Sequence, residues 1–347
     1  MAQINKPNQY FNTIIYTGNN NQSQTISGVG FQPDWIWIKN SDNTEWHHLM
    51  DVVRGDNKFL HTNNTDAEST GNRGNGHNAL AFTSDGFSIT NATQEDGDLN
   101  FGSRPYPTWC WKANGSPSSN TDGSITSNVS ANQTAGFSIV TYTGTGSNAT
   151  IGHGLNKKPD AVFFKRLDTT GGWASYHSVL GATKYMRLDS NSGEQTASDE
   201  FQNTEPTSSV ISIGTDGAVN GTSMVAYCFA NKAGFSRMGS YVGNGSNDGT
   251  FIYTGFKPAF LIYKQSSASG ESWIMHDNAR NLFNVTNKRL LANASNAEAD
   301  EPIDFLSNGF KCRTSGAFQN ASGSTYIYMA FAENPLVGTN GVPATAR

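Results

Sequence analysis

The sequence predicts an all-β protein made of three tandem, similar β-sandwich repeats of about 100 residues each. Three observations predict it. One set of marker residues recurs three times in the same order, and short apolar runs follow the two-residue period of strands. No apolar stripe at helical spacing persists for three turns.

The first copy of the markers reads Tyr16-Thr17-Gly18, Gly30-Phe31-Gln32-Pro33, Lys39, Trp46, Lys58, Glu68 and Trp109-Cys110-Trp111. The second reads Tyr142-Thr143-Gly144, Gly154-Leu155 with Pro159, Lys165, Trp173, Lys184, Glu194 and Tyr227-Cys228-Phe229. The third reads Tyr241-Val242-Gly243, Gly255-Phe256-Lys257-Pro258, Lys264, Trp273, Lys288, Glu298 and Met329-Ala330-Phe331. In every copy Tyr to Pro spans 17 residues, Pro to Lys six, and the later Lys to Glu ten. The copies start 126 and then 99 residues apart, which is too long for solenoid units of roughly 20–50 residues and suits a small sandwich. The expected layout is repeat one with a short N-terminal arm (1–113), a linker (114–134), repeat two (135–233), repeat three (234–335) and a tail without core pattern (336–347). Three such units in one chain allow a pseudo-threefold body, as opposed to a linear rod.

Taken in order, Phe11 to Tyr16 opens the first copy as a strand, and Phe137 to Tyr142 opens the second. Asp34 to Lys39, Ala161 to Lys165 and Ala259 to Lys264 are apolar at successive positions, which suits strands buried on both faces, in a sandwich or against a neighbouring unit. Pro33, Pro159 and Pro258 precede them, where a missing N–H costs little. Gly86 to Ile89, Val210 to Ile213 and the runs through Trp109, Tyr227 and Tyr328 are further strands. The Gly/Asn clusters Thr17 to Ser23, Thr143 to Asn148 and Val242 to Asp248 read as hairpin loops. Ser124-Ile125-Thr126 is strand-like inside the linker, and the Lys-to-Glu stretch leaves room for a short turn of helix.

Charged residues make up 15% of the chain, against roughly 25% in an average globular protein, and Asn, Ser, Thr and 36 Gly take their place. A net charge of −5 with no basic run argues against nucleic acid or an anionic membrane as partner. No apolar run reaches the ~20 residues that span a bilayer, and the polar stretch Met1 to Tyr10 with Pro7 reads as no signal peptide. The three cysteines are widely spaced and read as buried core thiols rather than a disulfide or metal framework. Asn-x-Ser/Thr sequences read as turn composition.

Candidate chemistry is sparse. His47 and His48 would face opposite ways on a strand, so with His177 and His276 they read as structural hydrogen-bonding groups and not as a metal site. Glu95-Asp96-Gly97-Asp98 offers calcium-type oxygens but lacks the remaining ligands of an EF-hand, and reads as a turn. Arg54-Gly55-Asp56 matches Leu180-Gly181-Ala182 in the second copy, so only the Gly looks required there. The pairs Lys58/Glu68, Lys184/Glu194 and Lys288/Glu298 read as a recurring structural feature, not a catalytic dyad. No nucleophile elbow, phosphate loop or zinc-protease helix occurs, so the expectation is a non-enzyme with no catalytic residues, no cofactor and no metal. Trp35/Trp37 and Trp109/Trp111 are replaced by other apolar residues in the later copies and read as core or interdomain packing. Trp46, Trp173 and Trp273 recur in register, and are either three equivalent glycan or partner contacts or three core plugs.

The runs Gly30 to Lys39, His48 to Gly55, Lys58-Phe59-Leu60, Asn63 to Glu68, Ser84 to Phe87 and Trp109 to Ala113 resemble a family of repeat domains in structural proteins of tailed bacteriophages, many of them marine. The resemblance is good over 10–113, visible in 136–233 and fainter in 234–335, where Trp-Lys-Ala becomes Phe331-Ala332-Glu333. It implies a virion structural protein, assembled in the host cytoplasm and exposed as a capsid decoration, a protrusion or a tail-fibre component. It also implies partners among the major capsid or tail proteins, with homo-oligomer formation compatible. The alternative is a tail adhesin module that binds a host receptor or surface glycan. A polysaccharide depolymerase would need a pair of converging carboxylates, which sequence spacing does not supply.

Overall fold

The computed structural model describes residues 3–71, 79–92, 99–338 and 341–345 and is all-β. Between residues 10 and 113 lie β1 (Phe11–Thr17), β2 (Gln24–Ile26), β3 (Trp35–Lys39), β4 (His47–Asp51) and β5 (Lys58–Phe59). They continue as β6 (Ser69–Thr70), β7 (Ala79–Thr83), β8 (Gly86–Thr90) and β9 (Pro105–Trp111). The middle segment holds β10 (Ser118–Asn120), β11 (Ser127–Asn132), β12 (Phe137–Tyr142), β13 (Ala149–Gly152) and β14 (Ala161–Arg166). It goes on through β15 (Ala174–His177), β16 (Lys184–Arg187), β17 (Gln195–Thr196), β18 (Val210–Ile213) and β19 (Met224–Phe229). The C-terminal segment holds β20 (Ser236–Val242), β21 (Phe251–Tyr253), β22 (Phe256–Gln265) and β23 (Ile274–Asp277). It ends with β24 (Thr286–Leu291), β25 (Ala299–Leu306), β26 (Gly309–Cys312) and β27 (Thr325–Pro335). Among the described residues helix is confined to the short turns α1 (Ser198–Phe201) and α2 (Gly217–Asn220) and a 3-10 turn at Pro7–Gln9, all outside the Lys-to-Glu stretches.

One antiparallel strand order appears in each segment: β1-β9-β3-β4, β12-β19-β14-β15 and β20-β27-β22-β23. A second layer pairs β2 with β8, β13 with β18 and β21 with β26. The apolar strands are continuous because each separates two cores. In β3, Trp35 and Trp37 enter a core shared by all three segments, while Ile36 and Ile38 enter a core belonging to residues 14–110. Likewise Ala161 and Phe163 face the shared core and Val162 and Phe164 the middle segment's own. Phe260 and Ile262 again face the shared core, and Leu261 and Tyr263 the local one. The two-residue period of a strand does this sorting.

Aromatic rings bridge every boundary of the shared core. Trp35 stacks on Tyr227 at 4.7 Å, Phe229 meets Phe331 at 5.8 Å and Trp111 meets Phe260 at 5.7 Å. At roughly 150–250 Å² buried per ring, each contributes on the order of 4–6 kcal/mol of transfer free energy. The tryptophan pairs of β3 and β9 are therefore packing residues.

The Tyr-x-Gly marker has a physical cause. The hydroxyls of Tyr16, Tyr142 and Tyr241 donate to the carbonyls of Leu99, Val219 and Gln319 at 2.7, 2.5 and 2.8 Å. The next residues, Asn100, Asn220 and Asn320, accept from the loop N–H groups of Asn19, Thr145 and Asn244 at 3.0, 2.8 and 3.0 Å. Only glycine fits beside this clamp, because a Cβ on Gly18, Gly144 or Gly243 would lie 2.0–2.3 Å from the carbonyl oxygen of Phe101, Gly221 or Ala321.

Residues 114–134 differ from the expected linker. They form β10 and β11, which extend the middle sheet beyond β12, and Ile125 bridges Ile151 of β13. Backbone pairing orders this Ser/Asn/Thr-rich stretch, with Val129 buried in the middle segment's core and Ile125 and Ala131 packed against it. The described part of the tail folds back, with Ala344 N–H donating to Leu336 O at 2.8 Å. Gln3 donates from Nε2 to Val337 O at 2.7 Å, which joins the N-terminal arm to the start of the tail.

Candidate functional site

The predicted contact residues Trp173 and Trp273 are fully buried, with no ring face open to a sugar. Trp173 donates its backbone N–H to Asp189 Oδ1 at 3.0 Å and its indole Nε1–H to His61 O at 2.9 Å. Trp273 does the same with Asn293 Oδ1 at 2.8 Å and Arg187 O at 2.9 Å. In the N-terminal segment the matching residue is His47, not Trp46. Its N–H donates to Asn63 Oδ1 at 2.8 Å, and it pairs with Lys39 in the sheet. His47 Nδ1 accepts from Trp37 Nε1–H at 2.8 Å, which leaves Nε2 as donor to Leu291 O at 2.9 Å. Trp46 sits one residue out of register, half-buried, edge-on to the His61 ring at 4.9 Å. The three tryptophans are thus not three equivalent surface sites.

These bonds cross segment boundaries in a fixed sense: Trp173 into the N-terminal segment, Trp273 into the middle one, His47 into the C-terminal one. A second set runs the opposite way, from the N–H groups of Glu68, Glu194 and Glu298 to the carbonyls of Leu167, Ser266 and Ser41 at 2.9, 2.8 and 2.8 Å. A third lies deeper. Tyr227 Oη donates to Asp51 Oδ2 at 2.7 Å, Trp109 Nε1 to Asp277 Oδ2 at 3.3 Å, and His177 Nε2 to Tyr328 O at 3.2 Å. The first two sets each close on themselves after three steps, as a head-to-tail contact does when its rotation closes, and the third spans all three boundaries with the middle segment donating twice.

One family model matches the chain, over residues 6–335, and it is described as Domain of unknown function (DUF7483). The chain belongs to that family. No curated protein and no solved structure matches it.

Charge in this region is buried and paired. Asp51 accepts from the N–H groups of Val53 and Arg54 at 3.0 and 2.9 Å and from Arg54 Nε at 2.5 Å. The Arg54 guanidinium also reaches Glu68 at 3.1 Å, so the Arg54-Gly55-Asp56 triplet has its arginine locked inside. Asp277 and Arg280 repeat the pair at 2.7 Å, and the middle segment replaces it with neutral His177 and Leu180. The Lys/Glu pairs all form: Lys58–Glu68 at 3.2 Å, Lys184–Glu194, and Lys288–Glu298 at 3.6 Å. They lie at the surface beside the second set of bonds, where such a pair contributes about 0–1 kcal/mol.

The marker lysines are seated among carbonyls. Lys39 Nζ donates to Asn40 O and Asn43 O at 2.5 and 2.9 Å, Lys165 to Thr65 O at 3.1 Å, and Lys264 to Gln265 O at 2.6 Å. Burial lowers their pKa values to about 7, about 8 and about 8. Burial likewise holds His177 down to about 4 and His47 and His276 well below the usual imidazole value, so these rings are neutral. Among the described residues no group of three His, Cys, Asp or Glu is placed to hold a metal. The Glu95 to Asp98 turn lies outside the described residues. All three cysteines are buried and free, and burial raises their pKa values.

Sequence reasoning missed two things. The Asn clamp escaped because Asn100, Asn220 and Asn320 stand nine, seven and nine residues before the Trp109, Tyr227 and Met329 positions. The place of His47 was available as a signal: His47 to Asp51, Trp173 to His177 and Trp273 to Asp277 all span four residues, whereas Trp46 to Asp51 spans five.

Proposed function

We propose that this chain is a non-enzymatic structural protein of a bacteriophage virion, exposed on the particle as a capsid decoration, protrusion or tail-fibre component. In this reading three tandem β-sandwich repeats form one pseudo-threefold body, held by other virion proteins. The observation that carries it is the triple closure of the interfacial bonds around a shared aromatic core. A closed body of this kind gives one chain the symmetry of a trimer and suits a threefold or quasi-threefold seat on a shell. The sequence resemblance to tailed-phage structural repeats supplies the setting. Blunted sheet edges suit a protein packed at high local concentration. At β1, Asn12 Oδ1 takes the Thr13 N–H at 3.0 Å and Gln24 Nε2 donates to Thr17 O at 3.1 Å.

Gold-conjugated antibody against the purified chain, applied to intact particles of a phage that encodes it, tests this reading. Label over the shell supports decoration, and label on the tail supports a fibre component. Particles that carry neither label nor the polypeptide contradict the proposal. The glycan-binding alternative no longer has Trp173 and Trp273 to rest on.

A further inference from the structure

The sheet of the C-terminal segment runs β20-β27-β22-β23-β24-β25-β26-β21, so β20 and β21 are its two ends. Residues 237–241 and 251–253 of these strands line one groove of about 450 Å³, an open seam between the layers. The middle segment has the same seam between β12 and β13, and there the chain fills it. β11 pairs with β12 through Asn128 opposite Thr141, and Ile125 bridges Ile151 of β13 in parallel. Ser124 Oγ accepts from the Thr150 N–H at 2.9 Å, and Ser127 Oγ donates to Gly152 O at 2.8 Å.

Register equates the two seams residue by residue. Thr141 pairs with Val225 where Ser240 pairs with Ile327, two residues before Tyr227 and Met329 respectively. Ile151 pairs with Ile211 where Ile252 pairs with Phe310. Among the described residues no strand pairs with the outer side of β20. Its ends are capped, since Met238 N–H donates to Asn231 Oδ1 at 2.6 Å and Val242 O accepts from Thr250 Oγ1 at 3.0 Å. That leaves Ser240 as the residue positioned to exchange backbone bonds, as Thr141 does.

The seam also shows apolar surface. Phe251 and Tyr253 on β21 are 44% and 56% exposed, with Val179 beside them at 46%. The matching positions are Thr25 and Ser27 in the N-terminal segment and Thr150 and Gly152 in the middle one. Large apolar side chains at the outward positions of an end strand mark a contact surface.

We propose that the seam between β20 and β21 receives an extended strand from a partner protein, by strand addition. The occupant carries a β-branched aliphatic residue over Ile252, as Ile125 lies on Ile151, between small hydroxyl residues. It presents a carboxylate to Arg237, which lines the groove. This inference rests on the fold and not on the virion reading.

A fluorescent peptide of residues 120–131, the stretch that fills the middle seam, is the probe for anisotropy titration into the full chain. Saturable binding is expected, weakened at least about tenfold by Tyr253→Glu in the chain or Ile125→Asp in the peptide, and unchanged by Thr25→Glu in the chain. Tyr253→Glu changes an exposed residue, and its unfolding midpoint checks that the fold is intact. No binding up to about 1 mM peptide, or binding indifferent to both substitutions, overturns the proposal. Self-association of the chain that Tyr253→Glu abolishes also overturns it, by assigning the seam to a second copy.

Discussion

The Tyr227 hydroxyl donates to Asp51 Oδ2 at 2.7 Å across the boundary between the middle and N-terminal segments. Asp51 is wholly buried and is compensated by Arg54 on its own strand end. Tyr227→Phe should therefore cost about 1.5–3 kcal/mol, as loss of a hydrogen bond to a charged acceptor. Asp51→Ala should cost about 3–5 kcal/mol, because it strands the buried Arg54 guanidinium. Denaturant unfolding of both single variants and the double variant measures the coupling, and additive losses would show that the contact carries no energy.

Trp173→Ala and Trp273→Ala should each destabilise by about 3–5 kcal/mol, the range for emptying a buried aromatic site. Trp46→Ala should cost clearly less, since Trp46 is only half-buried. Equal losses at all three positions would contradict the register assigned to His47.

The buried histidines His153 and His177 should contribute a loss of stability in acid, against which the buried Glu200 carboxyl, raised to about 7, works in the opposite sense. Burial lowers His177 and His153 from 6.5 to about 4. Between these values the unfolded chain binds protons at these sites that the folded chain does not, so the histidine contribution to stability falls as pH drops from 6.5 towards 4. His177 Nδ1 accepts from Val179 N–H at 3.3 Å and Nε2 faces Tyr328 O, so protonating Nδ1 breaks the first bond. His177→Gln should remove roughly 2–4 kcal/mol of that pH dependence. Unfolding free energies measured from pH 4 to 7 check it, and an unaltered slope in the variant would refute the role of His177.

Cys110, Cys228 and Cys312 should be silent towards a thiol reagent in the native protein and all react once it is denatured. Each is buried, and burial pushes the thiols of Cys228 and Cys312 up to about 12. A native-state count of reacted thiols above zero would contradict their placement.

The strands were legible in the sequence because alternation on a doubly buried strand leaves an unbroken apolar run, as in Trp35 to Ile38. The recurrence of the Lys/Glu pairs likewise announced a shared structural role. The ring of contacts made by Trp173, Trp273 and His47 was not legible. Its acceptors are the backbone carbonyls of His61, Arg187 and Leu291, three unlike residues, so nothing in the acceptor side chains marks them. The order of residues 118–132 was hidden for a related reason. A strand held by backbone pairing, with buried Ser127 and Ser130, has the composition of a loop.

The central claim is that the three segments form one body around a common core. Expressing residues 234–335 alone tests it most directly, read by amide dispersion in a proton–nitrogen correlation spectrum and by cooperative unfolding. A collapsed or unfolded fragment is expected, because Phe260, Ile262, Trp273 and Phe331 lose the partners that bury them. A well-dispersed spectrum with a sharp, reversible transition would contradict it and leave three independent domains in a row.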